Sequence, residues 1–113
     1  EIMANTFKNY VLKAAGTTAQ NAYAAGTGVQ ATVIGMSIAN ITASPITANV
    51  ILTCSGGAAP NVYLVNSATI APGGALVPIG GDQKLVLEAN DYLQVNVSSS
   101  SSADVITSVL EIT

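Results

Sequence analysis

The stretch QATVIGMSIANITASPITANVILTC, residues 30–54, decides the fold class. From Ile46 onward an apolar residue recurs at every second position. Ile46, Ala48, Val50, Leu52 and Cys54 share one face, and Thr47, Asn49, Ile51 and Thr53 share the other. A period of two marks a strand with one buried face, because successive side chains leave a pleated backbone on opposite sides. The preceding segment alternates in the same way, with Ile34, Met36 and Ile38 on the face that also holds Thr32. Its other face, Ala31, Val33, Gly35, Ser37 and Ala39, is small enough for a neighbouring surface to approach closely. Thr42-Ala43-Ser44-Pro45 between the two reads as a hairpin connection, with Pro45 suited to a strand start.

Outward from this pair the same punctuation repeats. Ser55 to Pro60 is a flexible turn and Asn61 to Asn66 a short strand; Ile70 to Gly74 is a turn whose Pro-Gly pair fits type II geometry. Leu76 to Ile79, a tight Gly80-Gly81-Asp82 turn, and Lys84 to Glu88 follow. A further turn leads into Tyr92 to Val97, the serine run 98–102 is a loop, and Val105 to Ile112 closes the chain. Ile106, Ser108, Leu110 and Ile112 alternate there against Val105, Thr107, Val109 and Glu111. No segment carries a helical period; the Ala-rich stretch 13–26 is broken at Gly16-Thr17-Thr18 and offers no apolar stripe. About seven or eight short strands at this spacing predict one all-β domain, an antiparallel β-sandwich of jelly-roll type. The expected organisation is an N-terminal strand and extended arm over 3–28 and the sandwich over 29–113. The expected core faces hold Ile34, Met36, Ile38, Val50, Leu52, Leu85, Leu87, Leu93, Val95 and Leu110.

Composition limits function. The 113 residues include three Lys, six Asp or Glu, and no Arg, His or Trp, and residues 14–81 carry no charged side chain. Three cations cannot neutralise a phosphate backbone, which argues against a nucleic-acid partner. Polar residues and Pro45, Pro60 and Pro72 interrupt the neutral run too often for a spanning helix of about 20 apolar residues. Few aromatic residues argue against a membrane barrel. Met3-Ala4-Asn5 reads as a translation start, and no basic cluster precedes a compact apolar stretch as in a signal peptide.

The candidates for chemistry each have a simpler reading. Serine and threonine hydroxyls lack a histidine to activate them, and neither Lys13 nor Lys84 lies in an S-x-x-K pattern. Cys54, the single cysteine, sits on an apolar strand face and behaves as a small hydrophobe. Asp82, Glu88, Asp91 and Asp104 lack the spacing of a calcium loop and suit turn capping. Gly73-Gly74 and Gly80-Gly81 precede no helix and match no phosphate-binding loop. The sequons at Asn40 and Asn96 are at chance level. No catalytic residue, metal or cofactor is therefore expected. A face of small neutral side chains costs little to desolvate or immobilise, so it suits contact with neighbouring subunits.

The segments MANTFKNYVLKAAGTTA (3–19), VIGMSIANITASPITANVIL (33–52), IAPGGALVPIGGDQKLVLEANDYLQV (70–95) and DVITSVLEIT (104–113) cover nearly the whole chain. Together they resemble small virion structural proteins of tailed bacteriophages, including those infecting cyanobacteria. The resemblance implies a β-sandwich subunit of the particle, on capsid, neck or tail, with no catalytic residues to transfer. Size, a single domain and the absence of fibrous repeats favour a head or neck decoration (cement) subunit, with a tail or baseplate component as the alternative. The expected partners are further copies, as in a trimer, and adjacent capsid, neck or tail proteins. Phe7, Tyr10 and Tyr23 in the N-terminal segment and Gly73, Gly74, Gly80 and Gly81 in turns are the expected interface residues. A receptor- or carbohydrate-binding module using Tyr63, Asn90, Asp91 and Tyr92 is the competing class.

Overall fold

The alternating segments become strands in two antiparallel sheets. The computed structural model describes residues 5–54, 61–80 and 84–113. Among these are β1 (Asn5–Ala15), β2 (Gln20–Ala24), β3 (Gln30–Asn40), β4 (Ile46–Thr53), β5 (Asn61–Ile70), β6 (Ala75–Ile79), β7 (Leu85–Leu87), β8 (Tyr92–Val97) and β9 (Ala103–Ile112). The first sheet runs β1-β9-β3-β6, with β7 also on β3; the second runs β2-β8-β4-β5. β6 and β7 lie end to end along β3, β6 opposite Met36–Ala39 and β7 opposite Ala31–Val33, as one strand interrupted between them. Counting that line once leaves eight strands, four in each sheet, whose chain path changes sheet at every step except from β4 to β5, which pair within the second sheet; this is the jelly-roll arrangement.

The core forms where the two inner faces meet. β4 buries Ile46, Ala48 and Val50, β8 buries Leu93, Val95 and Val97, and β3 buries Met36 and Ile38. Leu87 is also fully buried, while Leu52 and Leu85 pack against this cluster from its rim. The Pro-Gly turn forms as its chemistry requires. Pro72 fixes the first central position, Gly73 takes φ 72°, and Gly74 N donates to Ala71 O at 2.9 Å.

Four expectations need correction. Residues 42–45 do not close a hairpin: β3 and β4 belong to different sheets, and the segment is a crossover. In β3 the register shifts between Val33 and Gly35, so Ala31 and Val33 point inward as Met36 and Ile38 do. Ile34 is displaced to the outer side, because one extra residue reverses the alternation along the strand. In β9 it is Val105, Thr107 and Val109 that face inward, leaving Leu110 on the outer face. Finally, the residues expected to form an extended arm supply one edge strand to each sheet, β1 beside β9 and β2 beside β8. The turn at 55–60 and residues 81–83 lie outside the described residues.

Candidate interaction surface

The two outer faces of the sandwich differ in chemistry. Residues facing one another on adjacent strands share a side of the sheet, so the registers define rows across the first sheet. Phe7 faces Leu110, Leu110 faces Thr32, and Thr32 faces Val86. A second row joins Val11, Ile106 and Ser37. Between them Asn9, Ser108 and Gly35 form a low row, and Ile34 lines an open depression there with Phe7 and Asn9. Phe7 is 75% exposed, Val86 64% and Val77 63%. Lys13 at the β1 bulge and Asp104, whose Oδ1 accepts the Ala14 N–H at 2.9 Å, lie at one end of this face, and the exposed Lys84 and Glu88 stand two residues to either side of Val86. Phe7, Val11, Val86 and Ile106 are thus exposed apolar side chains on one outer face.

The outer face of the second sheet is polar. Asn49 faces Asn96, Ile51 faces Gln94, and Thr53 faces Tyr92. Gln94 donates to Asn21 Oδ1 at 3.2 Å, and Asn49 Oδ1 accepts the Ser67 N–H at 2.7 Å. Only the Gln94–Asn21 contact joins two side-chain amides; Asn96 Oδ1 is buried without a hydrogen-bond partner among the described residues.

The expected interface residues occupy three separate places. Phe7 stands in the apolar row. Tyr10, on the other side of β1, meets Tyr23 edge to face, with ring centroids 5.4 Å apart. Tyr23 is fully buried, and its hydroxyl donates to the Glu111 carboxylate. Lys8 Nζ lies 3.1 Å from the other Glu111 oxygen. This cluster ties edge strands β1 and β2 to β9. Gly73 and Gly74 sit at the far end of the first sheet, where Gly74 O accepts the Asn40 N–H at 2.9 Å. Gly80 follows β6, and an added Cβ there would meet Val77 Cγ1 at 3.0 Å. Gly81 lies outside the described residues.

The carboxylates serve the fold. Asp91 is buried and accepts the Glu88 N–H at 3.0 Å, closing the turn before β8. Among the described residues no group of three or more His, Cys, Asp or Glu could hold a metal ion. Of the competing sugar-site residues, Tyr63 and Tyr92 flank β4 on the polar outer face. Asn90 instead bonds to Thr27 in a turn, at φ 70°. Sequence reading met Asn40 only as a sequon and missed its place in the fold. It is buried at the crossover and accepts the Thr42 N–H at 2.9 Å, and an Asn followed two residues later by Thr is the signal for such a turn.

Glu111 is the group whose titration bears on stability. The Tyr23 hydroxyl bond, opposed by partial burial and assisted by Lys8, holds its carboxyl below the ordinary carboxylate range. Burial, and then the same bond, raises the Tyr23 phenol. A depressed carboxylate contributes stability that is present above its unfolded value near 4.3 and is lost as pH falls through its folded value. Tyr23→Phe should therefore cost about 1.5 kcal/mol at neutral pH. The deficit should shrink once Glu111 protonates. Urea unfolding of both proteins at neutral and strongly acidic pH checks this; a deficit that does not change with pH would assign the loss to packing alone.

No family model matches the chain, and no curated protein matches it. Among solved structures, it is similar to a chain described under "Bacillus endospore appendages form a novel family of disulfide-linked pili". That match has 12% identity and a TM-score of 0.52, and covers 99% of this chain and 87% of the other. A chain from the acidic stable capsid of Helicobacter pylori bacteriophage KHP30 aligns over 99% of this chain and 94% of its own. It has 12% identity and a TM-score of 0.49. At such identity the likeness to the appendage chain shows a shared fold.

Proposed function

We propose that this protein is a non-enzymatic structural subunit of a tailed-phage virion, a head or neck decoration subunit that self-associates and binds adjacent virion proteins. The observation that carries the reading is the outer face of the first sheet. Its apolar rows, Phe7–Leu110–Thr32–Val86 and Val11–Ile106–Ser37, are open to solvent. Covering them with protein would remove apolar area from water at about 25 cal/mol per Å². The sequence resemblance to virion proteins supports the location, and the jelly roll is an architecture used by capsid proteins and lectins. The similar appendage structure is named for disulfide-linked pili; with one cysteine, this chain could join at most two copies covalently.

Mass spectrometry of purified particles should find the chain as a stoichiometric component. Val77→Lys with Val86→Lys, at exposed sites where folding stability changes by only about 0.5 kcal/mol, should lower its incorporation sharply. Absence of the wild-type chain from particles, or undiminished incorporation of the double variant, would overturn the proposal. The tyrosines flanking β4 favour the receptor or glycan alternative. Binding on a glycan array that survives the valine substitutions and is lost with Tyr63→Ala or Tyr92→Ala would transfer function to the second sheet.

A further inference from the structure

Four margins bound the two sheets: β1 and the β6/β7 line in the first, β2 and β5 in the second. An edge strand exposes unpaired N–H and C=O groups, and folded proteins blunt it with short length, bulges, proline or charged side chains such as lysine. Three of the margins carry such devices. β2 has five residues and a register break between Asn21 and Tyr23. β5 shifts register on both sides of Val50 and holds Ser67 at φ 57°. β6 contains Pro78, and β7 has three residues. β1 is different: its bulge is confined to one end, between Leu12 and Ala15, so Asn5–Leu12 keep unbroken register with Ile112–Val105; every residue from Asn5 to Val11 is exposed, and the one lysine in that stretch, Lys8, is paired with Glu111. Among the described residues no strand lies along its free edge.

We infer that this edge pairs antiparallel with β1 of a second copy, about a two-fold axis through Asn9. A two-fold axis normal to the sheet reverses the strand while keeping both outer faces on one side, so one residue must face itself at the axis. Within the unbroken stretch, Lys8 or Asn9 at the centre gives the longest overlap. Centring on Lys8 would set two ammonium groups opposite each other, a like-charge pair that destabilises a sheet. Centring on Asn9 sets Phe7 against Val11, Lys8 against Tyr10 and Thr6 against Leu12, each twice. The charge of Lys8 is already met within its own sheet by Glu111 at 3.1 Å. Phe7 ends one apolar row and Val11 ends the other, so their pairing makes each row of one copy continuous with the complementary row of the next. The second copy thus extends both the hydrogen-bonded sheet and the apolar face.

This contact deepens the assembly reading and rests on it for its role, but it is tested on the purified chain. In a Cys54→Ala background, Asn9→Cys should give an oxidised, covalent dimer. Phe7→Cys and Val11→Cys should each fail alone and cross-link when mixed. Phe7→Lys/Val11→Lys and Phe7→Glu/Val11→Glu should each sediment as folded monomers, checked by an unchanged circular dichroism spectrum, and should form dimers when combined. A wild-type monomer that still enters particles would overturn the pairing and leave the assembly reading intact. A dimer indifferent to the charge variants, or one cross-linked by Phe7→Cys alone, would overturn the register. A wild-type dimer absent from particles would overturn the assembly reading alone.

Discussion

Replacing Asn40 with alanine is expected to lower stability by about 3 kcal/mol and the thermal midpoint by roughly 10 °C. Its amide is a hub. Nδ2 donates to Ser44 O at 2.8 Å and Ile70 O at 3.1 Å, with Ala71 O at 3.3 Å sharing a proton. Oδ1 accepts from the Thr42 N–H at 2.9 Å and the Thr42 hydroxyl at 2.7 Å. The residue therefore fixes both the crossover from β3 to β4 and the turn from β5 to β6. Alanine would remove the amide donor from the buried Ile70 carbonyl and the acceptor from the Thr42 N–H, and each polar group so stranded costs about 1–3 kcal/mol. Asn40→Asp should be as damaging, because a carboxylate would face the carbonyls to which the amide donates. Thr42→Val removes one hydroxyl and should cost about 1 kcal/mol. Urea unfolding of the three variants checks the ranking; an Asn40→Ala protein within 1 kcal/mol of wild type would refute the hub.

Leu93→Ala should cost about 3–4 kcal/mol. Leu93 is fully buried in β8, between Tyr23 of β2 and Leu52 of β4. Truncation removes buried methyl groups and leaves a cavity that the flanking strands, held by hydrogen bonds on both sides, cannot close. Ile106→Ala is the comparison. Both residues belong to regular alternations near the end of the chain, yet Ile106 is half exposed, and its loss should cost less than about 1 kcal/mol. Equal losses for the two would contradict the assignment of inner and outer faces.

That pair shows where sequence reading reached its limit. In β4 and β8 one face is apolar and the other carries Thr, Asn and Gln, so the pattern itself names the inner side. In β9 both faces are apolar: Val105 and Val109 on one, Ile106 and Leu110 on the other. Alternation establishes the strand but not which side the second sheet covers. In β3 the shift at Gly35 moves the alternation by one residue, which a strict period of two does not register. The turn at Ala71–Gly74 was readable because proline and glycine each restrict φ locally. The crossover at 41–45 was not, because Asn40 closes it by reaching Ile70 O, 30 residues away. The site followed the same division. Phe7 was named from the sequence, but its row with Leu110, Thr32 and Val86 exists only through pairings between distant strands.

Local chemistry determined that this chain is all β and that its strands are regularly punctuated, and its composition argued against charge-based partners and histidine chemistry. Each of these depends on residue type or on spacing within a few positions. The tertiary structure decided which of two apolar faces is buried, placed the N-terminal residues as an edge in each sheet, and brought Phe7, Val11, Ile106 and Val86 onto one outer face. Those outcomes depend on which strands lie beside which, and a side-chain period is the same for either neighbour and for either face.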